Sequence, residues 1–261
     1  MKTNLQGKTA LITGASSGLG AEFARQFANL GCSLVLAARR LERLHDLKTD
    51  IIQKYGVQVE CIKVDLTEKD APLLLYNQLK ESGKTVDILI NNAGFGLFGL
   101  FWETPWERLR ELLELDIVAL TQLTYLFMED MIKRNSGYIM LIGSTGSFQP
   151  TPTYAAYSAA KSYTLSLGEA LHYELRNTAV KCCVLCPGVT RTEFLEVAGQ
   201  LPTPYQRATI MEVEDVVRIG IIALLKGRAS VVSGWLNAFL AWSTRFMPRQ
   251  VQAASSAKLM R

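Results

Sequence analysis

The run Lys8-Thr-Ala-Leu-Ile-Thr13 has the length and apolar content of a buried strand, and it stops at Gly14-Ala-Ser-Ser-Gly18-Leu-Gly20. Behind the glycines a helical pattern, Leu19, Phe23, Phe27 and Leu30, continues to Gly31. A strand that enters a helix through such a turn points backbone amides, and the positive end of the helix dipole, at one spot. That spot suits a phosphate. A plain tight turn has the same letters, and Gly14-x-Ser16-x-Gly18 also fits the nucleophile elbow of hydrolases. The elbow needs a downstream histidine, and only His172, inside a helical stretch, is placed to serve.

The pattern then repeats as alternating strands and helices. Strands are expected at Ser33–Ala38, Val57–Val64, Val86–Ile90, Tyr138–Ile142, Val180–Leu185 and Ala229–Val232. Helices are expected after Arg40 to about Tyr55, from an N-cap at Thr67 to about Glu81, and from about Tyr157 to Arg176 and Val213 to Lys226. Thr104-Pro-Trp-Glu107 reads as a capping box opening a long helical region to about Arg134. Phe95–Trp102 is too rich in glycine for a helix, and the segment up to about Thr209 reads as a lid. Such alternation implies right-handed crossovers, hence an α/β, doubly wound parallel sheet of Rossmann type with helices on both faces. With no repeat, linker or low-complexity tract, residues 1–232 form one domain, and 233–261 a tail packed on it or on a partner subunit.

Composition removes several function classes. No apolar run of membrane-spanning length exists, and the first eight residues contain no hydrophobic leader segment. A net charge of +4 is too mild to argue for nucleic acid. The five cysteines, Cys32, Cys61, Cys182, Cys183 and Cys186, sit mostly in strand-like text with no second Cys/His pair, so no metal site is expected. They read as reduced core thiols of a cytoplasmic protein.

Chemistry concentrates between Ser144 and Lys161. Tyr157 and Lys161, four apart, share one helix face. A free phenol ionises near pH ~10. An ammonium roughly 4 Å away would favour the phenolate by up to about 4 kcal/mol at an effective dielectric near 20, so the pair reads as a tyrosine tuned toward a neutral working pH. Ser144, on the preceding loop, offers a hydroxyl to a carbonyl oxygen. The overlapping Ser158-x-x-Lys161 of penicillin-binding proteins lacks its companion motifs. At the end of the second strand, Ala38 and Arg39 stand where an acid would bond a ribose 2′-hydroxyl, so Arg39 favours a 2′-phosphate, and Arg40 fits a solvated first helical turn.

Taken together, Thr13-Gly14-x-x-x-Gly18-x-Gly20, Asp65, Asn91-Asn-Ala-Gly94, Ser144, Tyr157-x-x-x-Lys161 and Pro187-Gly188 resemble the short-chain dehydrogenase/reductase family, over about residues 5–232. The resemblance implies an NADP(H)-dependent oxidoreductase interconverting a carbonyl and a secondary alcohol, with Tyr157 as acid/base, Ser144 holding the oxygen, and Lys161 on the nicotinamide ribose. It implies a pyrophosphate bordered by Gly14, Ser16, Ser17, Gly18 and Leu19, with Arg39 at the 2′-phosphate and Asp65 and Asn91 at adenine and ribose. Ala93, Gly94, Pro187 and Gly188 complete the implied cofactor site, and Val189 and Thr192 meet the nicotinamide. One position departs: Asp116 stands where the family carries a relay asparagine, and an aspartate would draw the lysine charge to itself.

The substrate is expected to be a hydrophobic ketone, aldehyde or steroid-like alcohol, faced by Phe95, Leu97, Phe98, Leu100, Trp102, Phe148, Tyr154 and Phe194. A nucleotide-binding regulator without turnover is the rival reading. After Asp215 there is no acidic residue, while Arg218, Lys226, Arg228, Arg245, Arg249, Lys258 and Arg261 are basic. Trp235, Leu236, Phe239, Leu240, Trp242, Phe246 and Met247 fall on roughly one helix face. That face is expected to pack over the pocket or a second subunit of a homodimer or homotetramer, with peripheral membrane contact as the alternative and the last ten or so residues frayed.

Overall fold

Alternation along the central strands sets the layers. In β1 (Thr9–Thr13), Ala10 and Ile12 enter one apolar layer and Leu11 the opposite one. In β2 (Ser33–Ala38), Leu34, Leu36 and Ala38 face the first layer while Val35 and Ala37 face the second. Both faces are therefore buried, as a parallel sheet requires. Helices α1 (Gly18–Asn29), α2 (Leu41–Tyr55) and α9 (Val213–Leu225) cover one side. Helices α3 (Ala71–Glu81), α5 (Leu120–Lys133) and α6 (Ala155–Glu174) cover the other. A large apolar side chain fully buried here contributes roughly 1.5–3 kcal/mol, so the two layers hold the sheet.

This computed structural model describes residues 5–260; Met1 to Asn4 and Arg261, and with them part of the leader reading and one of the basic tail charges, lie outside the described residues. The seven-stranded sheet runs β3-β2-β1-β4-β5-β6-β7, all parallel. The remaining strands are β3 (Val59–Lys63), β4 (Ile88–Asn91), β5 (Gly137–Ile142), β6 (Val180–Cys186) and β7 (Ser230–Val232). The order reverses between β1 and β4, and a crevice at such a reversal is where ligands bind in open α/β sheets. No helix among the described residues is long and apolar enough to cross a membrane.

Several local expectations change. Thr67 does not cap a helix: its amide and hydroxyl both donate to Asp65, at 3.0 and 2.8 Å, and α3 starts later, behind Asp70. The capping box at Thr104 does not form either, because the Thr104 hydroxyl turns back to the Leu100 carbonyl at 3.1 Å and Pro105 takes the N-cap position. A short 3₁₀ turn, Phe101–Glu103, precedes it. The long helical region does run on to Lys133, as α4 (Trp106–Leu113), a π-helical turn at Glu114–Ala119 that the sequence did not announce, and α5.

The lid contains α7 (Phe194–Ala198) and α8 (Pro204–Thr209). Beyond β7 come α10 (Trp235–Ser243) and α11 (Arg249–Leu259), separated by a 3₁₀ turn and Pro248. The chain end is docked, not frayed. Gln200 Nε2 donates to the Met260 carbonyl at 3.1 Å, Thr203 Oγ1 to that of Leu259 at 3.0 Å, and Ser256 Oγ to that of Pro150 at 2.7 Å. Of the face singled out in the tail, Leu240 borders the pocket and the aromatic residues do not. Leu240, Ala241 and Thr244 border the cavity, whereas Trp235, Phe239, Trp242 and Phe246 point outward, Trp235 being 83% exposed.

Candidate active site

The turn after β1 is held in shape by the end of β4. Thr13 Oγ1 accepts from the amides of Asn92 and Ala93, both at 3.0 Å, and Asn92 Nδ2 donates to the Thr13 carbonyl at 2.9 Å. Gly14 has φ +65°, the left-handed region that favours glycine, and a Cβ there would lie 2.9 Å from Ala93 Cα. A Cβ on Gly20 would sit 2.3 Å from the Gly14 carbonyl oxygen, so the helix closes onto the turn only without side chains. Together these leave a backbone cradle at the N-terminus of α1 that suits a phosphate.

A cavity of about 440 Å³ starts at this cradle and runs over the carboxyl ends of the strands. Of the residues singled out in the sequence, Gly14, Ser16, Ser17, Gly18, Leu19, Arg39, Asp65, Ala93, Gly94, Ser144, Tyr157, Lys161, Pro187, Gly188, Val189 and Thr192 all border it. Asn91 does not. Its amide, 3% exposed, donates to Thr124 Oγ1 at 2.9 Å and to the Leu120 carbonyl, so β4 turns it into the layer beneath α5 and presents Asn92 instead. Arg40 needs the opposite correction. It is no freely solvated residue but donates to Ser16 Oγ at 3.2 Å, to Ser17 Oγ at 2.7 Å and to Glu193 at 3.1 Å. Arg39 stands 3.7 Å from Asp65. The two guanidiniums flank the cradle, each with an acidic neighbour, Asp65 and Glu193.

Tyr157, Lys161 and Ser144 meet at the centre. Ser144 ends β5's loop and caps the 3₁₀ turn Thr145–Phe148, its Oγ accepting from the Gly146 amide at 3.0 Å. Ser147 Oγ ties that turn to the Lys161 carbonyl at 2.8 Å. Lys161 is buried, donates to the Ile142 carbonyl at 3.1 Å, and stands 3.1 Å from Asp116 Oδ2 and 5.6 Å from the Tyr157 ring centre.

The expected tuning of Tyr157 is reversed. Burial pushes its phenol above the usual tyrosine range, an interaction with the Ser144 hydroxyl opposes this, and the Asp116 carboxylate adds to the rise. Lys161's charge is paired with Asp116 at 3.1 Å, closer than it stands to the Tyr157 ring. Asp116 is completely buried on the π-helical turn, and burial raises its own carboxyl while Lys161 opposes that rise.

Beyond Tyr157 the wall is aromatic. Tyr154 and Phe194 pack on its ring at 5.7 and 5.4 Å, and Phe95 borders the same space. Leu97, Phe98, Leu100 and Trp102 on the loop after Gly94 do not border the cavity, Trp102 being 77% exposed, and neither does Phe148, which packs against the core from the 3₁₀ turn. Sequence reasoning missed the distal end, where Tyr154 Oη donates to Gln200 Oε1 at 2.8 Å and Gln206 Nε2 to the same oxygen at 2.8 Å. Nothing in the local pattern marks those glutamines, since their partners are distant in the chain. His172 lies on α6 with Nδ1 3.0 Å from the Cys182 carbonyl and does not border the cavity, which leaves Ser16 without the histidine a hydrolase needs.

A family model described as short chain dehydrogenase matches residues 8–201. An uncharacterized oxidoreductase of Myxococcus xanthus (strain DK1622) is 31% identical over 252 residues, covering 97% of each chain. Among solved structures, a short-chain dehydrogenase from Sphingobium yanoikuyae in complex with NADPH superposes with a TM-score of 0.82 at 32% identity, over 94% of this chain and 98% of that one. A short-chain dehydrogenase/reductase from Burkholderia phymatum in complex with NAD superposes with a TM-score of 0.81 at 27% identity, over 93% of each chain.

Proposed function

Because the chain belongs to the short-chain dehydrogenase/reductase family, we propose that it is an NADP(H)-dependent reductase of hydrophobic ketones or aldehydes, interconverting them with their alcohols. The observation that carries this reading is the convergence of Ser144, Tyr157 and Lys161 on one cavity beside the phosphate cradle. When bound, the reduced nicotinamide supplies a hydride to the carbonyl carbon. The Ser144 hydroxyl donates to the carbonyl oxygen, and the Tyr157 phenol gives that oxygen its proton. Lys161 would hold the nicotinamide ribose. The net change is ketone, NADPH and a proton going to alcohol and NADP⁺.

Preference for the phosphorylated cofactor is supported by Arg39 at the ribose end and by the absence of an acid at Ala38. An apolar substrate is supported by Phe95, Phe194, Leu195 and Leu240 around the far cavity. A panel of carbonyl compounds, read by loss of NADPH absorbance, tests the activity. In Tyr157→Phe turnover should fall by about 10²–10⁴-fold, the usual contribution of a general acid, with NADPH binding retained. Near-normal turnover of that variant would sink the mechanism.

The same reading includes a homodimer or homotetramer in the cytoplasm. Val118, Tyr125 and Ile132 form an exposed apolar stripe at helical spacing, which suits a second copy. The free thiols suit a reducing compartment. The tail's outward aromatic residues, with Arg245 and Arg249 near Phe246 in sequence and in no ion pair among the described residues, suit peripheral contact with an anionic membrane surface.

A further inference from the structure

We propose that Asp116 keeps carbonyl reduction on its pH plateau at neutral pH, and moves the oxidation plateau to higher pH, by holding the Lys161 charge to itself so that Tyr157 keeps its proton. The inference rests on the reading of Tyr157 as the acid of the reaction. Asp116 Oδ2 and Lys161 Nζ are 3.1 Å apart, with side chains 0% and 6% exposed. Besides Lys161, the Phe95 backbone also faces the carboxylate and favours its charged form. The π-helical turn aims the carboxylate inward, and Gly94 leaves the room for it, since a Cβ there would lie 2.7 Å from Asp116 Oδ1 and 3.2 Å from Lys161 Nζ. The pair is packed as a unit.

An ammonium beside a phenol favours the phenolate, and a carboxylate closer to that ammonium cancels the effect. The other groups facing Tyr157 do not replace the lost charge. Tyr154 is a neutral phenol whose own ionisation is pushed up by burial, and the Cys186 thiol on β6 is pushed up to about 12 by the same cause. Glu169 adds negative charge to the Cys186 neighbourhood, and Arg108 lies over the Phe95 ring at 4.9 Å and pairs with Glu111.

Reduction needs the neutral phenol, which gives its proton to the substrate oxygen as the hydride arrives and then retakes one from water. Alcohol oxidation needs the phenolate first, to accept the hydroxyl proton as the hydride leaves. Asp116 cannot alter the equilibrium, which the cofactor and proton concentrations set. It moves the pH at which each direction reaches its plateau. It acts through Lys161 and is thus a positioning residue.

The test is a nuclear magnetic resonance titration of protein labelled at the tyrosine phenolic carbon, with and without NADPH, the Tyr157 signal being the one missing from Tyr157→Phe. Wild-type Tyr157 should titrate above the free phenol's midpoint near ~10. Asp116→Asn should lower that midpoint by about one pH unit or more. The alkaline limb of reductive kcat/KM and the acid limb of oxidative kcat/KM should shift down with it. A wild-type midpoint at or below that of the free phenol, or one unchanged by Asp116→Asn, would overturn the proposal; Asp116→Ser serves if the asparagine variant does not fold. The titration reads no turnover, so a protonated Tyr157 in a protein that reduces no carbonyl would retire the functional reading alone.

Discussion

Gly94 shows how little slack surrounds the reacting groups. Its missing side chain is the space into which the Asp116–Lys161 pair fits. Gly94→Ala should therefore cost about 1–3 kcal/mol by overpacking, measurable as a lowered denaturant midpoint, and should also reduce turnover by displacing Lys161. A variant with wild-type stability and rate would mean that the pair moves aside freely. At this scale the sequence was informative where chemistry depends on short spacing. Tyr157 and Lys161 share a helix face whatever the rest of the chain does, and Ser144 follows its strand directly. The direction of Tyr157's shift was not legible, since burial around a side chain is a property of the packed molecule. Asn91 was misread for a related reason. Strand alternation offers two faces, and which of Asn91 and Asn92 looks into the crevice depends on where the strand ends.

Among the elements, the β1–α1 turn was the most legible, because a glycine turn between a strand and a helix fixes backbone before any tertiary contact. Its flanking arginines were not. Arg39 and Arg40 are neighbours in sequence, and only the fold brings Ser16, Ser17 and Glu193 around the second of them. Their roles separate in a binding experiment. Ala38→Asp with Arg39→Ala should reverse the order of NADPH and NADH affinity measured by calorimetry. Arg40→Ala should weaken both cofactors by roughly tenfold, about 1.4 kcal/mol each, because it braces the turn that both would use. If the wild-type protein prefers NADH, the assignment of Arg39 is wrong. The helix after Thr104 was foreseen as one length, yet its π-helical turn was not, since an extra residue in a helical repeat leaves no mark in the apolar pattern. That turn is the segment that carries Asp116.

Over the whole molecule, the tail divides inside from outside. One face of α10 borders the cavity with Leu240 and Ala241, while Phe239 and Trp242 on the helix and Phe246 in the 3₁₀ turn after it form an exposed run of rings 6.1 and 4.9 Å apart. The sequence showed that such a face exists but not which way it turns, because α10 is apolar nearly all round and polarity alone does not orient it. Near an anionic surface each Arg or Lys adds about 1 kcal/mol of attraction that salt weakens. The intact protein should sediment with anionic vesicles at low salt, less at physiological salt, and Trp242→Ser with Phe246→Ser should abolish it. If the intact protein does not bind vesicles and the double variant changes oligomeric state, a second copy covers the stripe instead.

The cysteines carry a different consequence. Cys32 precedes β2 and Cys61 lies in β3, while Cys182, Cys183 and Cys186 lie in β6, across the sheet's switch point. Burial pushes the thiols of Cys32, Cys182, Cys183 and Cys186 up to about 12, so they hold almost no thiolate while the sheet is closed. An alkylating reagent can reach them only during an opening event, which makes the protein its own clock for local unfolding. Mass spectrometry of partly labelled molecules would date the opening of the dinucleotide half and of the catalytic half separately, without a single introduced probe.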